Sequence, residues 1–228
     1  MSDDREKGLK RLNNLTLKYT NPGYLHYSSL FKNLHLSIKK YATGKLLDIG
    51  CGNKPYAEWI DSVCSEYIGV DIIQSSENKV DVICDATQIT LNDATFDTVF
   101  SSQAVEHIAE HEKVFKEAYR LLRPGGHFIV SAPMYWPLHE EPYDFFRFTK
   151  HGFKFLMKKT GFETVEILSC GGKWSLLGQT VLITLPGIFT RIRAFRYLSN
   201  RFFSWLDKTY YNDINTMGYV VIGSKPAK

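Results

Sequence analysis

Three aspartates, two glycines and two histidines carry most of the chemistry this sequence offers. Asp48, Asp71 and Asp85 each stand at or near the end of a short apolar run: KLLDIG, EYIGVD and VDVICD. A core strand has no packing reason to end in a carboxylate, and open parallel sheets bind ligands outside the carboxyl ends of their strands. Singly, each could be a turn or cap residue; three together are informative. After the first comes Gly50-Cys51-Gly52, where the missing Cβ atoms allow a sharp turn and close backbone approach. Pro55 stands where a dinucleotide fingerprint has its third glycine, which counts against pyrophosphate binding. Asp71, about twenty residues on, is placed to accept from ribose hydroxyls.

A second group lies between Pro133 and Thr149. It is dense in aromatics and prolines and includes Tyr135, Trp136, His139, Glu140, Glu141, Tyr143, Asp144 and Arg147. Aromatic faces beside carboxylates and an arginine suit a sugar or another polar ring compound, by stacking and hydrogen bonding. Arg147 can equally pair with Asp144 simply to hold the loop. His139 is the first candidate for a general base, and His107, in Val105-Glu106-His107-Ile108, the second. The other histidines, His26, His35, His111, His127 and His151, have no nameable partner and read as structural or exposed. Cys51, Cys64, Cys84 and Cys170 are widely spaced with no C-x-x-C pair. Neither a disulfide framework nor a zinc site is expected, no metal spacing is visible, and reduced thiols in a cytoplasmic setting are the default.

These residues need a scaffold. Short β-branched runs alternate with helical patterns from Lys45 onwards, which argues for an open, mostly parallel sheet with helices on both faces. Ahead of it, Leu30, Phe31, Leu34, Ile38 and Tyr41 recur at helical spacing. From Asp71 to Val80 there is too little chain for a crossover helix, so a minimal loop is expected. At 228 residues the chain fits one domain with an appendage, and Lys+Arg 28 against Asp+Glu 24 leaves a net charge of +4, too weak to argue for nucleic acid. The N-terminus is charged and shows no secretory signal.

LLDIGCG, GVD, CDATQI, FDTVFSSQAVEHI and RLLRPGG follow one another in this order. In that respect the sequence resembles the class I S-adenosylmethionine-dependent methyltransferases, most closely the type 11 methyltransferase domain. The resemblance covers about Lys45 to Gly161 and extends to the final strand near 219–223. It implies a Rossmann-like, seven-stranded sheet with the last strand antiparallel. It also implies S-adenosyl-L-methionine as cofactor: Asp48, Gly50, Cys51 and Gly52 around its methionine end, Asp71 and Ile72 at the ribose, Asp85, Ala86 and Thr87 at the adenine, and Ser102 and Gln103 on the methyl side.

One departure stands out. Residues 170–215 intervene before the last strand where the family needs only a short connection, and a structureless loop of that length is uncommon, so helices are expected. The organisation read from sequence is therefore a tail and helix over 1–43, a methyltransferase core over 44–169, a helical insertion over 170–215 and the final strand within 216–228. Between 174 and 206, Arg191, Arg193, Arg196 and Arg201 interleave with apolar and aromatic residues. Two readings stand: a cap or homodimer contact, or a basic amphipathic contact with a membrane surface, here the inner face. The preferred function is O-methylation of a saccharide or carrier-linked acceptor, as in glycan biosynthesis. Methylation of a lipid, quinone or secondary metabolite is the rival, and a non-catalytic binding protein is the alternative from another class. No amino-group motif of the nucleic-acid methylases follows the fourth strand; Ser101-Ser102-Gln103-Ala104 stands there instead.

Overall fold

A computed structural model describes residues 15–227. The first residues, Lys7 and Lys10 among them, lie outside the described part. The elements are α1 (Tyr24–Tyr41), β1 (Lys45–Ile49), α2 (Ala57–Asp61), β2 (Glu66–Asp71), β3 (Val82–Ile83), β4 (Phe96–Ser102), a 3-10 turn (Val105–His107) and α3 (His111–Leu121). Then come β5 (Leu122–Pro133), α4 (Lys150–Lys159), β6 (Glu163–Ser169), α5 (Lys173–Thr184), α6 (Gly187–Thr190), α7 (Arg193–Thr209) and β7 (Gly218–Ser224). The strands form one sheet in the order β3-β2-β1-β4-β5-β7-β6. β1 to β5 pair in parallel, and β7 runs antiparallel between β5 and β6.

The period of two along each strand sorts the core into two layers. Leu47, Ile49, Val99, Phe128, Val130 and Val221 face α3 and α4, meeting Val114, Phe115, Phe153 and Met157. Their neighbours Leu46, Phe100, Ile129, Val220 and Ile222 face the other way, onto Leu30, Phe31, Leu34 and Ile38 of α1 and Ile60 of α2. The doubly wound, mostly parallel sheet expected from the alternation is thus present, with α1 supplying part of its second layer.

Two elements differ from their sequence reading. α1 starts at Tyr24, before the first of the apolar residues read at helical spacing, Leu30, and directly after the turn at Asn21–Gly23. β3 keeps only two residues of VDVICD. The reason lies in Asp81, whose carboxylate turns back to accept from the Gly69 amide at 2.6 Å and to meet Lys54 Nζ at 2.5 Å. The 72–81 connection carries no helix, as its length required.

The 170–215 stretch is helical. α5 packs against α7 and α1, so closely that a Cβ on Gly178 would lie 2.4 Å from the Phe203 ring. Asp207 of α7 closes the start of α5. Its carboxylate accepts from the amides of Gly172 (2.9 Å), Trp174 (3.2 Å) and Ser175 (3.2 Å) and from Ser175 Oγ (2.7 Å). Asn200 Nδ2 donates to the carbonyls of Tyr19 and Asn21, and Gln179 Nε2 to that of Pro22. The insertion therefore grips the segment that leads into α1. Among the described residues no helix is long and apolar enough to cross a membrane.

Candidate active site

The carboxyl ends of β1, β2 and β4 open into one cavity of about 680 Å³. Its floor is the turn after β1. Gly50 has φ +78°, and a Cβ there would sit 2.6 Å from Ala104 Cβ, so both the backbone conformation and the space require glycine. The amides of Gly50 and Cys51 donate to Val70 O, which fixes this turn against the end of β2.

Asp48 is buried, and its Oδ2 accepts from Tyr67 Oη at 2.6 Å. Burial, against the Tyr67 bond and the Lys54 charge, pushes its carboxyl up to about 7. Asp71 is also buried; its two oxygens accept from the amides of Gly52 (3.1 Å) and Ile72 (2.8 Å). The carboxylate is thereby oriented in the cavity lining. Asp85 is held by the Thr87 amide and hydroxyl, both 2.7 Å from Oδ1, and these bonds keep its carboxyl below the usual range. After β4, Ser102 Oγ lies 3.2 Å from Tyr56 Oη and 3.0 Å from Ser131 Oγ. Gln103 adopts φ 53° and donates its amide to Ser131 O.

At the other end of the cavity stand His107, Trp136, His139, Glu140, Tyr143 and Phe145. His107 Nδ1 is 2.9 Å from Tyr143 O. His139 Nδ1 is 3.2 Å from Pro137 O and 3.2 Å from Asp144 Oδ2. Both Nδ1 atoms meet only acceptors, which assigns them the proton and leaves each Nε2 with its lone pair. Burial and the neighbouring His107 lower the His139 pKa, so that ring is neutral at pH 7. Glu106 is fully buried, and burial raises its carboxyl to about 8.

Most of the residues singled out from sequence meet here. Asp48, Gly50, Cys51, Asp71, Ile72, Asp85, Ala86, Thr87, Ser102 and Gln103 line one end, and His107, Trp136, His139, Glu140 and Tyr143 the other. Gly52 acts behind the lining through its bond to Asp71. Tyr135 is exposed and does not reach the cavity. Asp144 and Arg147 do not line it either: they form a two-pronged ion pair at 2.6 and 2.7 Å. Arg147 also donates to Trp136 O, and the His139 amide donates to Asp144, so the pair orients the loop that carries both residues. His26 and Tyr27 of α1, together with Asn53 and Tyr56, were not picked out from sequence. The His26 ring lies 4.2 Å from that of Trp136, closing the cavity from the far end of the chain.

The sheet order with its single antiparallel strand is the fold of the class I S-adenosylmethionine-dependent methyltransferases, and the acidic strand ends are similar to theirs. Residues 47–130 match the family model described as a methyltransferase domain. A probable S-adenosylmethionine-dependent methyltransferase of Mycolicibacterium smegmatis is 30% identical over 131 residues, covering 52% of this chain and 51% of that protein. Haemonchus contortus phosphoethanolamine N-methyltransferase 2, solved in complex with S-adenosyl-L-methionine, superposes with TM-score 0.55 at 23% identity, over 85% of this chain and 52% of that one. The [4+2]-cyclase SpnF gives TM-score 0.59 at 18% identity, over 91% and 85% of the two chains. The chain spans about half the length, or less, of the curated relatives it matches.

S-adenosyl-L-methionine is the cofactor of the class, and the residues present fit it. The Gly50 turn leaves a cradle that a Cβ would fill. Asn53 is buried in the lining, and among the described residues neither its Oδ1 nor its Nδ2 has a hydrogen-bond partner. A buried amide in that state costs stability unless a polar ligand satisfies it.

Proposed function

We propose that this protein transfers a methyl group from S-adenosyl-L-methionine to an oxygen of a polar, ring-bearing acceptor, a saccharide or carrier-linked compound. The observation that carries the reading is the continuity of one cavity. It runs from three aspartates and a glycine turn to two histidines set among Trp136, Tyr143 and Phe145. When bound, the cofactor supplies an activated methyl carbon on a sulfonium. Asp71 holds the ribose diol, Asp85 with Thr87 borders the adenine, and Asp48 and Asn53 take the polar methionine end. Trp136 and Tyr143 hold the acceptor ring by its faces. With no metal ion bound, His139, neutral and with a free Nε2 lone pair, is positioned to take the acceptor proton, and the His26–Trp136 contact covers that end of the cavity.

Calorimetric titration with S-adenosylmethionine, S-adenosylhomocysteine and NAD tests the donor half. Micromolar binding of the two adenosyl ligands without NAD is expected. Failure of both to bind would leave the non-catalytic reading in front. Asp71→Ala should weaken adenosyl binding by about 1.5–3 kcal/mol, as for hydrogen bonds to a charged group; unchanged affinity would remove Asp71 from the ribose.

A specific observation extends the reading to a surface-bound acceptor. Ile188, Phe189 and Ile192 around α6, and Leu198, Phe202 and Trp205 of α7, are exposed, with exposed Arg191 and Arg193 among them. The insertion is proposed as the contact with an anionic membrane surface.

A further inference from the structure

Beside the His107 ring lies a carboxylate that the methyl-transfer reading leaves without a task. Glu106 is completely buried in the 3-10 turn after β4, and among the described residues neither of its oxygens has a hydrogen-bond partner from another residue. Its Oε1 lies 3.9 Å from His107 Nε2, and Glu140 Oε2 lies 4.0 Å from the same nitrogen. His139 stands across from His107 with ring centroids 4.8 Å apart. One donor atom from each of Glu106, His107 and His139 falls within 4.8 Å of the others.

We propose that Glu106, His107 and His139 form a divalent transition-metal site at the acceptor end of the cavity. Two imidazoles and one carboxylate are the donor set of catalytic zinc centres and of two-histidine, one-carboxylate iron sites, which keep positions open for water or substrate. The surroundings are those of metal-bound histidines. Each Nδ1 faces a carbonyl, of Tyr143 or Pro137, and His139 in addition the Asp144 carboxylate. Such partners fix the tautomer and aim Nε2 outward. A carboxylate buried with no hydrogen bond from another residue is costly unless a cation or donor meets it, and a metal ion would supply that cation. Glu140 stands next to the trio in a left-handed backbone conformation (φ 55°), close enough to serve as a fourth donor or to hold a bound water.

The site's chemical use rests on the methyl-transfer reading. His107, His139 and Glu140 line the same cavity as the cofactor residues, so the open positions face the acceptor. With an ion held there His139 would be a ligand and not the base, and the ion would make an acceptor hydroxyl more acidic: the O–H bond would break, its electron pair staying on the oxygen and the proton passing to solvent water. The site would thus select acceptors able to ligate through oxygen, above all phenols and vicinal diols.

The test uses the full chain, stripped with a chelator and titrated with Zn²⁺ by calorimetry and with Co²⁺ by visible absorption. One equivalent of each ion should bind, and the Co²⁺ spectrum should lack thiolate charge-transfer bands, since no cysteine belongs to the trio. His139→Ala and Glu106→Gln should each weaken Zn²⁺ binding at least about tenfold, while His35→Ala should leave it unchanged. S-adenosylhomocysteine binding by His139→Ala shows that this variant is folded and keeps the result readable should Glu106→Gln fail to fold. No saturable Zn²⁺ binding by the wild type, or equal affinity in His139→Ala, would overturn the site. Metal binding without adenosyl binding would leave the site standing and remove the methyl-transfer reading; adenosyl binding without metal would do the reverse.

Discussion

Asp48 shows how one residue can be legible in sequence and yet change meaning in three dimensions. Its place at the end of β1 marks it as a ligand-facing acid. The structure adds that it is buried with Tyr67 as its donor, and that burial raises its carboxyl to about 7. The folded protein therefore holds a proton that the unfolded chain has released above pH ~4. The stability this brings is complete below pH ~4 and is lost as pH rises towards 7, at up to about 1.4 kcal/mol per pH unit. Relative to Asp48→Asn, the wild type should lose melting temperature between pH 5 and 7; parallel curves would mean that Asp48 titrates normally. A sulfonium placed nearby favours the ionised form. Binding of S-adenosylmethionine should accordingly release protons at pH 6.5, seen as a dependence of the binding enthalpy on buffer ionisation, and S-adenosylhomocysteine should release fewer. His107 and His139 stood out because imidazoles near a strand end invite a chemical role. Glu106 did not, because no spacing rule distinguishes a buried glutamate from a solvated one in a turn. Glu106 and His139 are also 33 positions apart, brought together by a loop whose Phe145 and Phe146 amides donate to Glu106 O and whose Asp144–Arg147 pair orients His139.

Elements followed their periodicity closely where burial has one clear face. The alternation of Leu46, Leu47 and Ile49, and of Val99 and Phe100, sends successive residues into opposite layers, and such strands read plainly. Where polar residues set the boundary, the sequence was silent. β3 is cut short by Asp81 folding back on Gly69 and Lys54. α5 begins where it does because an acid more than thirty residues downstream accepts from its first amides. Asp207 does the work of a helix cap from another helix, with the favourable sign for a helix N-terminus. Asp207→Ala should strand the amides of Gly172, Trp174 and Ser175 and cost about 2 kcal/mol in urea unfolding. A change below about 0.5 kcal/mol would show that α5 is held by the packing of Gly178 on Phe203 alone. S-adenosylhomocysteine affinity serves as the internal control, since Asp207 does not line the cavity.

For the whole molecule, the insertion and α1 behave as one unit, with α1 on one face of the sheet and α5 and α7 packed against it. Asn200 and Gln179 bind the carbonyls of Tyr19, Asn21 and Pro22, and Arg196 donates to Thr20 and Thr190. His26, a few residues on, then closes over Trp136. The same unit turns Ile188, Phe189, Leu198, Phe202 and Trp205 outwards. A symmetric dimer through this face would bring Arg191 and Arg193 towards their own copies, a like-charge arrangement that costs energy. An anionic surface instead gains from both the charge and the apolar area. Arg196 is half-buried and donates to two carbonyls, so it is held back from such a surface while Arg191 and Arg193 are exposed. Arg191→Ser with Arg193→Ser should therefore reduce sedimentation with phosphatidylserine-containing vesicles at low salt, while leaving the melting temperature unchanged. Neutral vesicles should retain little of either protein. Wild-type protein that stays in the supernatant and doubles in mass with concentration would instead assign the face to a second copy. In either case the contact lies on the unit that carries His26, so whatever covers it also bears on the acceptor end of the cavity.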